Sequence, residues 1–252
     1  MPRITIFSNF INHHVAPLCE EFNKITNGNF NFVSQKAIAP KRISFGYRDI
    51  SNDYDYVVKT YESNEQLEKA YNLANESDYV IIGDSNDDYI IKRLKNNKLT
   101  FKDSEHIFKY KNVHFSWLRA FRRVYINHGK YNKYPLYLLC CSAYAAYDFN
   151  KYFAYKNKTY KWGYFPVSKN DLKPLNKEQH QDKITILWSG KYIKLKHPEM
   201  AVEAGRYLKE KGIPCSVKIV GFGPEEENLK VLVAEYGLDD IVDITPNTEK
   251  GA

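Results

Sequence analysis

Short apolar segments alternate with amphipathic helical patterns along the chain, and this alternation constrains the fold more strongly than any other feature. In the first half, strand patterns are predicted at Arg3–Phe7, Asn29–Ser34, Asp78–Gly83 and Tyr134–Ser142, with helical patterns between and after them. One of these helices is predicted to begin at the capping box of Ser63 and Gln66, and the last spans 143–155. Strands that alternate with helices form a parallel sheet with helices on both faces. The sequence therefore predicts a doubly wound α/β protein.

The same alternation begins again near residue 184, after the polar stretch 167–183, which has no apolar periodicity and is predicted to be a linker. The second region has three strand patterns and two helical patterns: Ile184–Trp188, Pro198–Lys211, Ser216–Val220, Pro224–Tyr236 and Asp240–Ile244. Each helical pattern starts at a proline and is followed directly by a glycine, as is typical of helix starts and ends.

These patterns predict two Rossmann-like domains with boundaries at 1–166 and 184–252. The three strands of the second domain are fewer than the roughly five or six that bury both faces of a doubly wound sheet. We therefore expect the second domain to be incomplete, and the 252 residues to be a fragment with little activity of its own.

The net charge of +7 favours an anionic partner, such as a nucleotide or an anionic lipid surface. This charge is spread along the chain without a nucleic-acid-binding motif, so nucleic acid is not an expected partner. No apolar run approaches ~20 residues, and the chain begins with a strand pattern rather than a signal peptide. A cytoplasmic location is predicted, and the four cysteines, which lack CxxC spacing, are predicted to be buried thiols.

Positive charge is concentrated where the first strand of the second domain ends, in "LWSGKYIKLKHPEM". Ligands of open parallel sheets bind at the carboxyl ends of strands, where Gly190 allows close backbone approach and Lys191 and Lys196 can neutralise a diphosphate. A solvated loop is the alternative interpretation, and it is the one preferred for Lys194. The next strand ends in Gly221, Phe222, Gly223 and Pro224, which are predicted to lie near a nucleotide or sugar.

In the first domain, His13 and His14 lie together where the first strand ends and a helix begins. A histidine there can serve as a general acid or base, or donate to a sugar or phosphate. Local packing at the helix start is the alternative for one of the two. No third ligand has the spacing of a metal site, so no metal is expected.

Residues 115–126, "FSWLRAFRRVYI", combine large apolar side chains with arginines in a helical pattern. Such a helix can lie on an anionic membrane surface. A core helix with a solvated basic face is the more common alternative. Peripheral contact with the inner face of the membrane is therefore a second possibility for this segment.

Two ordered stretches, "ILWSGKYIKLKHPEMAVEAGRYLKEKG" and "VKIVGFGPEEENLKVLVAEYGLDDIVDI", resemble the retaining glycosyltransferases of the GT-B fold, family four. The stretches "FSNFINHHVAPL", "TFKDSEHIF", "CSAYAAYDF" and "YKWGYFP" of the first half are similar to the acceptor domain of bacterial members that build capsular and other surface polysaccharides. The resemblance covers residues 184–244 more specifically than the first half.

The resemblance implies a nucleotide-sugar donor in the second domain, and a saccharide or lipid-linked acceptor in the first. It implies that Lys191 and Lys196 hold the donor diphosphate, that one of His13 and His14 lines the site, and that a hexosyl group is transferred with retention and without a metal cofactor. Lys191 stands where the family has arginine, and the family's paired glutamates have no counterpart before Ala252.

Two alternative functions remain open. The same anion site would suit a GT-B-fold nucleotide-sugar epimerase, and the first domain alone would suit a non-catalytic binding or assembly module. A dinucleotide dehydrogenase is disfavoured because "GFGP" lacks the third glycine of the dinucleotide fingerprint and follows the second strand of its domain.

Overall fold

The chain forms two compact units, Met1–Lys169 and Asn170–Ala252. The structure is a computed structural model that describes residues 1–43, 47–108, 117–165 and 183–246. Apart from Lys183, the predicted linker 167–183 lies outside the described residues.

Parallel strands and helices build the first unit, as the alternating pattern predicts. The strands are β1 (Ile4–Ser8), β2 (Phe30–Ser34), β3 (Val57–Lys59), β4 (Tyr79–Ile82), β5 (Thr100–Ser104), β6 (Leu136–Cys140) and β7 (Thr159–Lys161). The helices are α1 (Ala16–Ile25), α2 (Pro40–Ile43), α3 (Asn64–Glu76), α4 (Asp88–Lys95), α5 (Trp117–Asn127) and α6 (Ala145–Asn150), with a 3-10 turn at Gly129–Tyr131.

The strand order of this sheet is β3-β2-β1-β4-β5-β6-β7, and all neighbouring strands are parallel. The chain moves outward from β1 through β2 to β3, and then returns to the other side of β1 to form β4. This reversal opens a crevice beyond the carboxyl ends of β1 and β4, which is where open α/β sheets bind ligands.

Both faces of the first sheet are buried, which explains the continuous apolar strands. Phe7 packs in a cluster with residues of α3 to α6, whereas its neighbour Ile6 packs in a second cluster with Ala16 and Cys19 of α1. Successive strand residues point to opposite faces, so the helices on the two sides each cover one set of side chains.

Capping residues near the helix ends determine where helices such as α3 begin. One helix, α6, is shorter than the sequence predicts. Ser63 caps α3, because its hydroxyl accepts the backbone N–H of Gln66 at 3.2 Å. The helical pattern predicted over 143–155 ends in the structure at Asn150. Phe153 and Tyr155 have φ angles of 61° and 55°, which an α-helix does not accommodate.

Strand β5 was not predicted, because its sequence "TFKDS" has no apolar run although it lies between β4 and β6. Lys102 forms an ion pair with Asp87 at the start of α4. A carboxyl oxygen of Asp103 lies 2.6 Å from where a side chain at Gly83 would begin, so the glycine leaves room for it. Neighbouring strands thus accommodate polar residues that the pattern alone assigns to a loop.

The second unit repeats the architecture with fewer elements. Its described residues form β8 (Ile184–Lys191), α7 (Glu199–Glu210), β9 (Cys215–Phe222), α8 (Glu226–Glu235) and β10 (Val242–Pro246), with a 3-10 turn at Lys194–Lys196. The strands are parallel in the order β10-β9-β8, and Val202, Leu229 and Val233 of the two helices pack against Val217 and Ile219.

The apolar run "ITILW" of β8 is typical of a buried strand, but the described part of the unit places β8 at the sheet edge. It pairs with β9 alone, and Leu187 is 66% exposed while Ile186 and Trp188 pack against the core. Gly212 and Gly237 follow α7 and α8 with φ angles of 67° and 59°. This confirms the prediction that a glycine follows the end of each helix.

Within the described ranges, no helix combines the length and the apolar character needed to cross a bilayer.

Candidate functional site

Two cavities lie beyond the carboxyl ends of the strands in the first unit, and they share Arg42, Gly83, Asp103 and Tyr164 in their walls. The first, of about 280 Å³, extends from the end of β1 to the residues after β7. The second, of about 720 Å³, extends across the ends of β4 and β5. Together they form a cleft at the β1–β4 reversal, which we call the first-unit cleft.

The two neighbouring histidines differ in their position relative to the smaller cavity. His14 lines the smaller cavity, and His13 does not. The two rings lie 3.9 Å apart, and the ring of His13 also lies 5.3 Å from that of Tyr47. Partial burial, and then the nearby His14, lower the pKa of His13. Of the two candidates, His14 is the one whose position fits a role toward a ligand.

Aromatic side chains form one wall of the smaller cavity. Trp162 and Phe165 line it with their rings 4.9 Å apart in an edge-to-face arrangement, and Arg42 lies 5.0 Å above the ring of Phe10. Trp162 and Phe165 lie in the stretch "YKWGYFP", but no pattern in the sequence assigns these two aromatic side chains to a site, so this wall was not predicted. The strand end at β7, which brings Trp162 to the cleft, was not predicted either.

The larger cavity contains a histidine–aspartate pair that sequence reasoning also missed. His106 lines the cavity, and its Nδ1 is hydrogen-bonded to Asp148 of α6. The same Asp148 oxygen accepts the backbone N–H of Ile107 at 3.0 Å. Asp103 lies in the same wall, and its burial raises the pKa of its carboxyl group.

In the second unit, strand register brings the predicted donor residues together. Gly190 lies opposite Gly221, and Lys191 lies opposite Phe222. Lys191 is half-buried at the end of β8, whereas Lys196 is exposed in the 3-10 turn. The two strand ends that were predicted to contact a nucleotide sugar are therefore adjacent in the sheet.

The glycines of "GFGP" have a structural reason that the sequence did not reveal. A Cβ atom at Gly221 would lie 1.8 Å from the carbonyl oxygen of Gly190, and one at Gly223 would lie 2.5 Å from that of Tyr192. Their φ angles are 155° and 154°. Both glycines permit β9 and its following turn to approach β8, so the room they provide is occupied by the protein's own backbone.

The start of α7 carries its own negative charge. Glu199 lies in the first turn and is hydrogen-bonded to Nδ1 of His197 at 2.9 Å, so this carboxylate already interacts with the positive end of the helix dipole. Any phosphate at this edge must therefore rely mainly on the lysines.

Lys194, which was assigned to solvated surface, lines a cavity of about 470 Å³ between the starts of α7 and α8. His197 and Glu225 share that wall, and Lys196 is not part of it. The spacing of three lysines within six residues was visible, but the 3-10 turn decides which of them faces the cavity.

No family model matches the chain. The protein WcaL of Escherichia coli (strain K12), whose assignment as a colanic acid biosynthesis glycosyltransferase is provisional, is 42% identical over 45 residues. That match spans 18% of this chain and 11% of WcaL.

Solved structures match over nearly the whole chain at low identity. HepE of Anabaena in complex with UDP has a TM-score of 0.65 and 12% identity, with 98% of this chain and 70% of HepE covered. The lipopolysaccharide outer core galactosyltransferase WaaB, in its apo form, has a TM-score of 0.60 and 14% identity, with 98% and 68% covered. The chain has the α/β fold of the GT-B glycosyltransferases, and the predicted fold class is confirmed.

Proposed function

We propose that the protein is a glycosyltransferase that moves a hexosyl group from a nucleotide sugar to a saccharide or lipid-linked acceptor in cell-surface polysaccharide synthesis. Donor binding is assigned to residues 184–252 of the second unit, and acceptor binding to residues 1–166. The observation that carries the proposal is the pairing of two glycine-bearing strand ends beside Lys191, on a fold similar to that of HepE with bound UDP.

The lysines supply the positive charge in this mechanism. When the glycosidic bond breaks, negative charge grows on the departing diphosphate, and fixed cations stabilise that state more than the ground state. Lys191 is half-buried, so its charge is less screened by water than that of an exposed side chain. Lys196 adds a second, exposed cation, and Lys194 is a third candidate because it lines the neighbouring cavity.

The acceptor is proposed to occupy the first-unit cleft. His14 is the candidate there for contact with the reacting groups, because it lines the smaller cavity and His13 does not. Retention of configuration rests on the resemblance of residues 184–244 to family four. An NMR spectrum of the transferred sugar that shows the opposite anomer would refute retention and leave the transferase proposal standing.

Calorimetric titration of UDP tests the donor site. We expect Lys191→Ala to weaken UDP binding by about 10- to 100-fold, because a hydrogen bond to a charged group contributes about 1.5–3 kcal/mol. Lys196→Ala should have a smaller effect, since an exposed cation is screened by solvent. Lys218→Ala is the matched control, because this exposed lysine of β9 lies away from the strand ends.

UDP that binds equally well to the Lys191→Ala and Lys218→Ala variants would refute the assignment of the donor site. Incubation with a labelled nucleotide sugar distinguishes the alternatives. An epimerase converts the free donor without an acceptor, and a binding module leaves it unchanged.

Peripheral contact with the inner face of the membrane is proposed for α5. On this helix Leu118 is 69% exposed and Ile126 is 50% exposed, and Arg119 and Arg122 are also exposed, so apolar and cationic groups share the surface. Residues 115 and 116 of the predicted segment lie outside the described residues. Co-sedimentation with phosphatidylglycerol vesicles should fall for Leu118→Ser/Ile126→Ser, and unchanged sedimentation would contradict the proposal.

A further inference from the structure

In the first-unit cleft, hydrogen bonds to the buried Asp148 hold both His106 and the backbone beside it. Asp148 is 4% exposed, and one of its oxygens is bonded to both the backbone N–H of Ile107 and Nδ1 of His106. His106 follows β5, while Asp148 lies in α6, and the two are 42 positions apart. The imidazole ring is therefore held in one orientation by a buried group on another element.

This orientation determines which chemistry the histidine offers. A carboxylate only accepts hydrogen bonds, so Nδ1 of a neutral His106 carries the hydrogen and Nε2 keeps a lone pair. The side chain of His106 is 34% exposed and lines the larger cavity. Within the described part of the chain, no hydrogen bond involves Nε2. A ligand in the cleft would thus meet a fixed acceptor for a hydroxyl group.

The remaining wall of this cavity suits a neutral, polyhydroxylated ligand. Asp103, Ser104 and Ser85 offer oxygen atoms, while Arg42 and Arg123 offer N–H donors. Charges of both signs line the wall, so neither an anion nor a cation is favoured over a molecule that both donates and accepts hydrogen bonds. The volume of about 720 Å³ lies within the ~300–1,000 Å³ of small-molecule sites.

We propose that the larger cavity is a saccharide-binding site in which Nε2 of His106, oriented by Asp148, accepts a hydrogen bond from a sugar hydroxyl. This inference rests on the proposed function, because it identifies the sugar as the acceptor of the transfer. His106 is the group that touches the ligand, and Asp148 is a positioning residue that acts through it.

Two substitutions separate this role from simple loop anchoring. In His106→Asn the side-chain amide takes the place of Nδ1, so the bond to Asp148 is retained and the Nε2 acceptor is lost. In His106→Gln the amide oxygen takes the place of Nε2, so the acceptor is retained and the bond to Asp148 is lost. A ligand-binding role predicts that the asparagine variant is impaired in binding, whereas a purely structural role predicts that the glutamine variant is impaired in stability alone.

The probes are methyl β-glucopyranoside, methyl β-galactopyranoside and methyl N-acetyl-β-glucosaminide, titrated into protein with ¹⁵N-labelled histidine. We expect at least one sugar to shift the Nε2 resonance of His106. Its dissociation constant should rise by about 3- to 10-fold in His106→Asn, the value of one hydrogen bond, and by less in His106→Gln. His106→Asn should keep the thermal midpoint of the wild type, which excludes unfolding as the cause.

The proposal is overturned if no sugar of the three shifts Nε2, or if His106→Asn binds as tightly as the wild type. A parallel titration with UDP keeps the two proposals distinct. UDP binding without sugar binding refutes this inference and supports the donor site. Sugar binding without UDP binding supports the saccharide site and refutes its identification as the acceptor of a transferase.

Discussion

Replacing Gly221 with alanine tests the close approach of β9 and β8 that aligns the candidate donor residues. A Cβ atom at this position would lie 1.8 Å from the carbonyl oxygen of Gly190 and 3.0 Å from its carbonyl carbon. The φ angle of 155° is also one that residues with a side chain rarely adopt. The obstacle is backbone, so it cannot rotate away as a flexible side chain could.

The expected loss of stability follows from these two effects. Overpacking in a well-packed region costs about 1–3 kcal/mol, and a residue forced into a sparsely populated backbone region costs about 1–3 kcal/mol. If both act, Gly221→Ala lowers the free energy of unfolding by roughly 2–6 kcal/mol. Since whole domains are stable by only about 5–15 kcal/mol, the second unit should be severely weakened, and UDP binding should fall with it.

Gly237→Ala is the matched control, because its φ of 59° is also positive but nothing lies within 4 Å of the added Cβ. It should cost only about 1–2 kcal/mol of backbone strain. Urea unfolding followed by ¹⁹F NMR of 5-fluorotryptophan protein reports on the unit concerned, because Trp188 belongs to the second unit and Trp117 and Trp162 to the first. Equal destabilisation by the two substitutions would refute the argument.

Three further predictions concern buried polar groups. Arg93→Met should lower the free energy of unfolding by at least about 3 kcal/mol, because the fully buried guanidinium donates to the carbonyl oxygens of Ala74, Ser77, Asp78 and Leu99. Tyr192→Phe should cost about 1–2 kcal/mol, because the buried hydroxyl donates to the carbonyl oxygen of Ile219 at 3.0 Å. Burial lowers the pKa of His128 from 6.5 to about 4, so stability is retained above pH 6.5 and falls by up to about 3 kcal/mol as the pH drops toward 4.

Urea unfolding checks each of these outcomes. Arg93→Lys should recover only part of the loss, because an ammonium group cannot reach all the carbonyls that the planar guanidinium does. Full recovery would show that charge alone matters. For His128, the unfolding free energy is measured between pH 4 and 7. The His128→Gln variant should lose this part of the slope, and an unchanged slope would contradict the prediction.

The elements that could be predicted from the sequence are those set by neighbouring residues. Ser63 marks the start of α3 because its hydroxyl accepts an N–H three residues away, and Gly212 marks the end of α7 because the chain there adopts a positive φ. That Lys191 and Phe222 lie close together could also be predicted, because neighbouring parallel strands align their carboxyl ends. These predictions depend on local geometry and on one general rule of sheet topology.

Elements that depend on distant neighbours escaped prediction. Strand β5 is polar in sequence, and it forms because β4 and β6 pair with it on both sides while Asp87 neutralises Lys102. Helix α6 ends five residues earlier than predicted. Phe153 and Tyr155 have positive φ angles there, and the side chain of Asn132, more than 20 positions away, is hydrogen-bonded to the backbone of both. The apolar periodicity that marks a buried strand is absent from β5, and the helical periodicity continues past the actual end of α6.

By itself, the sequence determined the α/β alternation, the helix ends and the strand-end placement of the lysines and histidines. Tertiary structure alone decided that His14 rather than His13 lines a cavity, that Lys194 faces one and Lys196 does not, and that His106 meets Asp148. The physical reason is that apolar periodicity and helix capping depend on residues that are only a few positions apart in the chain. Which loops converge at a sheet edge depends on strand order, and strand order follows from packing between segments far apart in the chain.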